Sequence, residues 1–319
     1  MSSAPATHSV TAPASSAPAT HSATATEFSA PATPSATALV SSTAAARRDA
    51  RQSFWRDPAL PFVESRRACR SRACYKPHHH PTFSVGAVDG GASVFTGAPG
   101  GPIGLQPGML VLVPAHRVHA CNPEPGEAWS YQMLHIDANW RDAVRQEYAP
   151  AVPQDAKDDE PIRIVTNPAL YAQCCELNAL LCSDADVRDK EAALIEFVGA
   201  CDAAQGLPIA PPAAPAHLAD RIRPALDCLR AEPDSDIALD GLARLAGMSR
   251  YQLIRAFRAV TGMTPHVWQL NQRINLARAR IRDGDSLAAV AQHLGFADQA
   301  HFQRVFKAYA GVTPGTFRA

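Results

Sequence analysis

The chain has 319 residues, 46% of them apolar and 19% charged, with no formal net charge, which is ordinary for a soluble protein of two domains. No run of eighteen apolar residues is present, so the sequence contains no membrane-spanning helix. None of the eight cysteines forms a Cys-x-x-Cys pair and no apolar signal block opens the chain, so a cytoplasmic protein with reduced thiols and no zinc ribbon is expected.

Within a tail of residues 1–50, residues 1 to about 45 are almost entirely Ala, Ser, Thr and Pro, with near-repeats beginning at Ser3 and Ser16. Such a tail has too little apolar bulk to offset its ordering entropy and is expected to be disordered. A mucin-like glycosylated stalk is the alternative, unsupported by anything downstream. Residues 51–165 change to short apolar or alternating runs punctuated by Gly and Pro. Strands are predicted at 82–88, 92–96, 109–113 and 131–136, a spacing that suggests a β-sandwich or barrel.

Helical spacing follows over 167–183 and 186–204, with Leu177, Leu180, Leu181, Leu194, Phe197 and Val198 on apolar faces. This segment, 166–205, either packs on the barrel or pairs two subunits. Residues 206–216 are a Pro/Ala linker, stiff and extended, and 217–319 read as helix throughout.

From Gly241 to Ala319 there are eleven basic residues against three acids, a net charge of +8. Such a module points to a polyanion such as DNA. It also contains an internal repeat. Leu239, Leu242, Ala243 and Gly247 recur as Leu287, Val290, Ala291 and Gly295; Ser249, Arg255, Phe257, Arg258, Gly262, Thr264 and Pro265 recur as Asp298, Arg304, Phe306, Lys307, Gly311, Thr313 and Pro314. The offset is 48 residues before the second turn and 49 after it.

Each copy reads as a short helix, a Gly turn and a second helix that Ser249 or Asp298 caps. Leu253 with Phe257, and Phe302 with Phe306, share a buried face. Arg250, Tyr251, Ile254, Arg255 and Arg258 lie opposite in the first copy; Gln299, Ala300, His301, Gln303 and Arg304 do so in the second. This is a helix-turn-helix, present twice. Residues 265–282 form one connecting helix that packs through Val267, Leu270, Ile274, Ala277 and Ile281, long enough to hold the two units about one turn of B-DNA apart, roughly 34 Å.

Leu242-Ala-Arg-Leu-Ala-Gly-Met-Ser, Leu253-Ile-Arg-Ala-Phe and Gly262-Met-Thr-Pro resemble the DNA-binding domain of the AraC/XylS family of bacterial transcription regulators. The second copy resembles it more closely: Val290-Ala-Gln-His-Leu-Gly-Phe, Phe302-Gln-Arg-Val-Phe-Lys, Gly311-Val-Thr-Pro and Phe317-Arg. The resemblance covers about eighty residues and implies that the ten exposed residues named above meet bases and phosphates. Arg is suited to guanine and Gln to adenine, whereas Ile254 and Ala300 can offer only apolar contact.

Residues 92–136 are similar to the cupin-type effector domain that precedes the DNA-binding domain in many members of this family. The motif Gly108-Met-Leu-Val-Leu-Val-Pro-Ala-His-Arg-Val-His119-Ala-Cys-Asn122 carries this resemblance. The implied architecture is a β-barrel sensor with appended helices, then an all-α domain with two helix-turn-helix units. His78, His80 and His119 could supply three imidazoles to a metal. Ser84 and Val85 stand where the cupin glutamate belongs, however, His116 replaces the turn glycine, and Asn122 comes one position early.

No cofactor or metal is therefore expected. His80, Phe83, Ser84, His119, Trp129 and Tyr131 are the candidate effector contacts, of which alternation permits about half to face inward. The resulting expectation is a DNA-binding transcription regulator under small-molecule control, with double-stranded DNA, an effector, RNA polymerase and a second copy of the chain as partners. A cupin-type metal enzyme tethered to a DNA-binding domain is the alternative, and a front domain that only dimerises is a third.

Overall fold

The described residues of the computed structural model are 51–148, 160–210, 214–233, 235 and 237–318, all within one compact unit; the tail read over 1–50 lies outside them. The first half holds β1 (Arg51–Trp55), β2 (Val63–Ser71), β3 (Thr82–Gly90), β4 (Ser93–Thr96), β5 (Ile103–Leu105), β6 (Met109–Val113), β7 (Ala120–Pro123), β8 (Trp129–Asp137), β9 (Ile162–Thr166) and β10 (Leu207–Ile209). Seven strands pair in the order β1-β2-β8-β3-β6-β9-β10, and three as β5-β4-β7. The four strands expected from alternation are β3, β4, β6 and β8. β2 escapes that reading because Val-Glu-Ser-Arg-Arg-Ala-Cys-Arg-Ser looks polar, yet Glu64, Ser65 and Arg66 are buried.

The stretch read as linker begins instead with β10, which pairs antiparallel with β9 through Leu207↔Ile164 and Ile209↔Ile162. Its Pro208 is tolerated because β10 is an edge strand.

Strand alternation divides the sheet into two apolar layers. Phe83, Val85, Ala87, Leu110, Leu112, Leu134 and Ile136 face helices α1 (Ala138–Tyr148), α2 (Pro168–Leu181) and α3 (Val187–Ala203). Leu170, Cys174, Leu177, Leu181, Leu194, Phe197, Val198 and Cys201 complete that layer. The apolar faces of the 166–205 segment are thus consumed by the sensor's own core. Val88, Val111, Val113, Trp129 and Tyr131 point the other way, toward Phe95 and Leu105 of the smaller sheet, and form the barrel interior.

The second half holds α4 (Ala216–Ala231), α5 (Leu239–Leu245), α6 (Arg250–Thr261), α7 (Pro265–Arg282), α8 (Leu287–His293), α9 (Gln299–Ala310) and α10 (Pro314–Arg318). The repeat is structural: α5 and α8 each have seven residues, α6 and α9 twelve. α6 starts in a capping box in which Ser249 Oγ accepts from Gln252 N and Gln252 Oε1 accepts from Ser249 N. α9 starts where Asp298 Oδ1 accepts from His301 N at 2.6 Å. Asp298→Ala is expected to lower stability by about 1 kcal/mol in urea denaturation; an unchanged midpoint would show that the cap contributes nothing.

Both recognition helices end on a glycine in the left-handed region, Gly262 at φ 79° and Gly311 at φ 71°. Leu253, Phe257, Met263 and Trp268 fill the first unit's core. Phe296, Phe302, Phe306, Tyr309 and Phe317 fill the second. α7 serves both cores, giving Trp268 to the first and Ile274, Ala277 and Ile281 to the second.

Candidate DNA-reading surface and sensor cavity

Capping and core packing fix the outward faces of α6 and α9. Arg250, Tyr251, Arg255 and Arg258 are exposed on α6, as are Gln299, Ala300 and Arg304 on α9. Tyr251 is 68% exposed, and Arg255 Nη1 donates to its hydroxyl at 3.3 Å with the guanidinium 5.6 Å from the ring centre. An exposed tyrosine braced by arginine leaves little apolar reason for its position. Three predicted residues stand apart. Ile254 is half-buried and lines a hollow with Ile237, Leu239 and Leu242. Gln303 and His301 are also half-buried, and the His301 ring packs edge-on to Phe296, 5.6 Å between centres.

The barrel interior opens into a cavity of about 50 Å³. Of the candidate effector contacts, His80, His119, Trp129 and Tyr131 line it. Phe83 does not. It belongs to the opposite layer, because on β3 it is out of phase with Gly86 and Val88, which do line the cavity. Ser84 sits one step behind the wall, its Oγ 2.9 Å from His135 Nδ1.

Sequence reasoning missed Arg66, Tyr75, His135 and Arg278 as lining residues. His135 shares the parity of Trp129 and Tyr131 along β8, a signal that was available. Arg278 comes from α7 of the DNA-binding domain, and no local pattern announces that.

Hydrogen bonds assign the imidazole protons. His78 Nδ1 lies 2.7 Å from the Lys76 carbonyl and His119 Nδ1 2.9 Å from that of Arg117. A carbonyl only accepts, so both rings donate there and leave Nε2 bare. Arg278 Nη1 lies 2.8 Å from His80 Nδ1; a guanidinium only donates, so the His80 proton sits on Nε2. Burial holds all these rings neutral. His119 is lowered to about 4, with Arg278 adding to the effect. His78 and His80 are pushed well below their usual value by burial, with the Arg278 guanidinium acting in the same direction.

The ligand atoms of His78, His80 and His119 lie within 4.8 Å of one another. A divalent ion there would displace either Arg278 or the His80 proton. It would also sit beside the Arg278 guanidinium, with no carboxylate among the described residues of the lining. The residues present do not fit a metal centre. The His116 turn keeps its shape without glycine, at φ 63°, and His116 N donates to His80 O at 2.7 Å.

The strap of residues 75–80 fastens the two domains together. Asn271 Oδ1 accepts from His79 N at 3.2 Å, while Asn271 Nδ2 and Asn275 Nδ2 donate to His79 O at 2.9 and 3.1 Å. Lys76 N donates to Ala308 O and Arg66 Nη1 to Ala310 O, at 3.1 and 2.9 Å. The last carbonyls of α9 are thereby satisfied by the sensor rather than by water. Approach is close at this end: a Cβ on Gly311 would lie 2.5 Å from the Tyr75 hydroxyl.

Residues 63–198 match the AraC-like ligand binding domain and residues 242–319 a helix-turn-helix domain. An uncharacterized HTH-type transcriptional regulator of Haemophilus influenzae is 33% identical over 99 residues, 31% of this chain and 33% of that protein. The chain thus spans about a third of the length of the relatives it matches at that level. YbfI of Bacillus subtilis, also an uncharacterized HTH-type regulator, is 22% identical over 251 residues, 77% of this chain and 87% of YbfI. ToxT of Vibrio cholerae, solved with an unsaturated fatty acid bound, has a TM-score of 0.53 at 12% identity, covering 85% of this chain and 95% of ToxT. That last likeness is one of fold.

Proposed function

Because the chain belongs to the AraC/XylS family of transcription regulators, we propose that it binds double-stranded DNA through both helix-turn-helix units under the control of a small molecule held in the barrel cavity. The observation that carries this reading is the pair of equivalent units on a module of charge +8, with Arg255 and Arg304 exposed at matching positions. Arg255, Arg304 and Gln299 supply base contacts; Arg250 and Arg258 supply phosphate contacts. The two surfaces differ in chemistry, so the site read by one chain is asymmetric.

Control by a ligand requires that it favour one arrangement of the domains. A ligand in the cavity would touch both domains, since Arg278 of α7 forms part of its wall. RNA polymerase and a second copy of the chain are further proposed partners. Dimerisation would use outer faces of the sensor, because the apolar faces of α2 and α3 are occupied. No helix among the described residues is long and apolar enough to cross a membrane, and a cytoplasmic location is part of the same proposal.

Selection of binding sites from random DNA with the full chain, followed by footprinting, tests the reading. Arg255→Ala and Arg304→Ala are each expected to weaken specific binding by about 1–3 kcal/mol and binding to random DNA much less. Equal losses on both would reassign these residues to phosphates. Protection of a single helical turn would overturn the use of both units.

A further inference from the structure

The cavity has an excess of positive charge and of hydrogen-bond donors. Arg66 and Arg278 line it, while its imidazoles are neutral and, among the described residues, its lining contains no Asp or Glu. The carboxylate whose field reaches both arginines is Glu64. Glu64 is already engaged by Arg56 at 2.6 Å and lies 3.7 Å from Arg282, so one carboxylate serves four guanidiniums. Three lining side chains hold buried N–H groups that find no acceptor: Arg66 Nε, Arg278 Nε and Trp129 Nε1. Unpaired buried donors and uncompensated buried charge are both costly. An anion would relieve both at once. A cation would worsen both.

The remaining walls are apolar, chiefly Val88, Leu105, Val111, Val113 and Met133, which suits a carbon body and disfavours a bare inorganic ion. The cavity measures about 50 Å³ in this state, more than the roughly 30 Å³ share of one water in the liquid, so a carboxylate head group can enter it. We propose that the cavity binds a small organic carboxylate whose head lies between Arg66 of the sensor and Arg278 of the DNA-binding domain.

This deepens, and rests on, the reading of the cavity as the effector site. The two arginines belong to different domains, so the ligand bears directly on their docking. Arg66 Nη1 now holds Ala310 O at the end of recognition helix α9, and Arg278 holds His80. A carboxylate accepting from either guanidinium competes with those bonds, and charge-assisted pairs are the stronger ones. The ligand thereby acts on the C-terminal end of α9 and on α7.

The test uses the purified full chain, with acetate, hexanoate and benzoate set against acetamide, hexanamide and benzamide, which keep shape and remove charge. Inorganic phosphate and Zn²⁺ are separate arms. At least one acid is expected to raise Tm by about 2 °C or more at millimolar concentration while its amide does not. Arg66→Gln and Arg278→Gln should each weaken that acid about tenfold or more by calorimetry, and Arg278→Lys less.

In ligand-free protein, Arg278→Met should keep or raise Tm, since it removes an uncompensated charge. A fall of about 5 °C or more would mark Arg278 as structural and overturn the proposal. Stabilisation by amides, phosphate or Zn²⁺ with none by the acids would overturn the carboxylate while leaving the cavity as an effector site. No binding in any arm, together with unchanged DNA affinity in Arg278→Gln, would remove both readings.

Discussion

Acidification from pH 7.5 to 5.5 is expected to destabilise the protein, with His79 and His119 each contributing a loss of roughly 1 kcal/mol. His79 is 1% exposed and lowered to about 3, first by burial and then by His116, His119 and Arg230. Its ring packs against Trp268, 5.6 Å between centres, and neither ring nitrogen has a hydrogen-bond partner. His119 is lowered to about 4 by burial, with Arg278 acting in the same direction.

The unfolded chain takes up a proton at each of these sites as pH falls through about 6.5. The folded chain does not until pH approaches 4 and 3. Stability is therefore intact above pH 6.5 and declines below it. His78, His80 and His135 are also pushed well below their usual value, mainly by burial, so they steepen the decline. Urea denaturation across this range measures it, and His79→Leu should flatten the curve. A stability independent of pH between 7.5 and 5.5 would contradict the buried, neutral assignment of these rings.

Asn271→Leu is expected to cost about 2–4 kcal/mol and to loosen the sensor from the DNA-binding domain. Asn271 is 1% exposed and pairs with both the N–H and the carbonyl of His79. Leucine fills nearly the same volume but leaves the His79 N–H with no acceptor where water is excluded. The carbonyl keeps Asn275 Nδ2, so Asn275→Ala should cost less. The difference separates the clamp from general packing. Denaturation gives the cost, and small-angle scattering reports the loosening as a larger radius of gyration. Equal costs for the two substitutions would rule out the clamp.

Both results concern the surface where the domains meet, which was the least legible part of the chain. Recognition of the helix-turn-helix units rested on short-range rules. Helical period, Ser249 and Asp298 as caps, and glycines at 262 and 311 all act within one or two turns. The buried and outward faces of α6 and α9 followed largely from those rules. His301 and Ile254 departed because neighbouring apolar residues, Phe296 and Ile237 among them, draw them partly inward.

The cavity was legible only in part. His80, His119, Trp129 and Tyr131 could be named, since a barrel sensor with inward aromatic and imidazole groups is a local strand pattern. Phe83 was misplaced because alternation gives a period but not its phase; the phase depends on which face of β3 meets the helices. Arg66 lay hidden in a strand that reads as polar. Its burial is made tolerable by Gln52, Tyr75 and the carbonyl of Ala310, 244 residues away.

Two recognition helices of equal length, their caps, their basic faces and the strand-then-helix order of the domains are determined by the sequence itself, because each is set by neighbours a few residues apart. Arg278, Arg280 and Arg282 look alike in that sequence. Only the docking of α7 on the sensor places Arg278 in the cavity wall and Arg282 near Glu64, while Arg280 faces Asp285 five residues on. The burial, partners and charge balance of a side chain depend on contacts distant along the chain, and only the tertiary structure decides them.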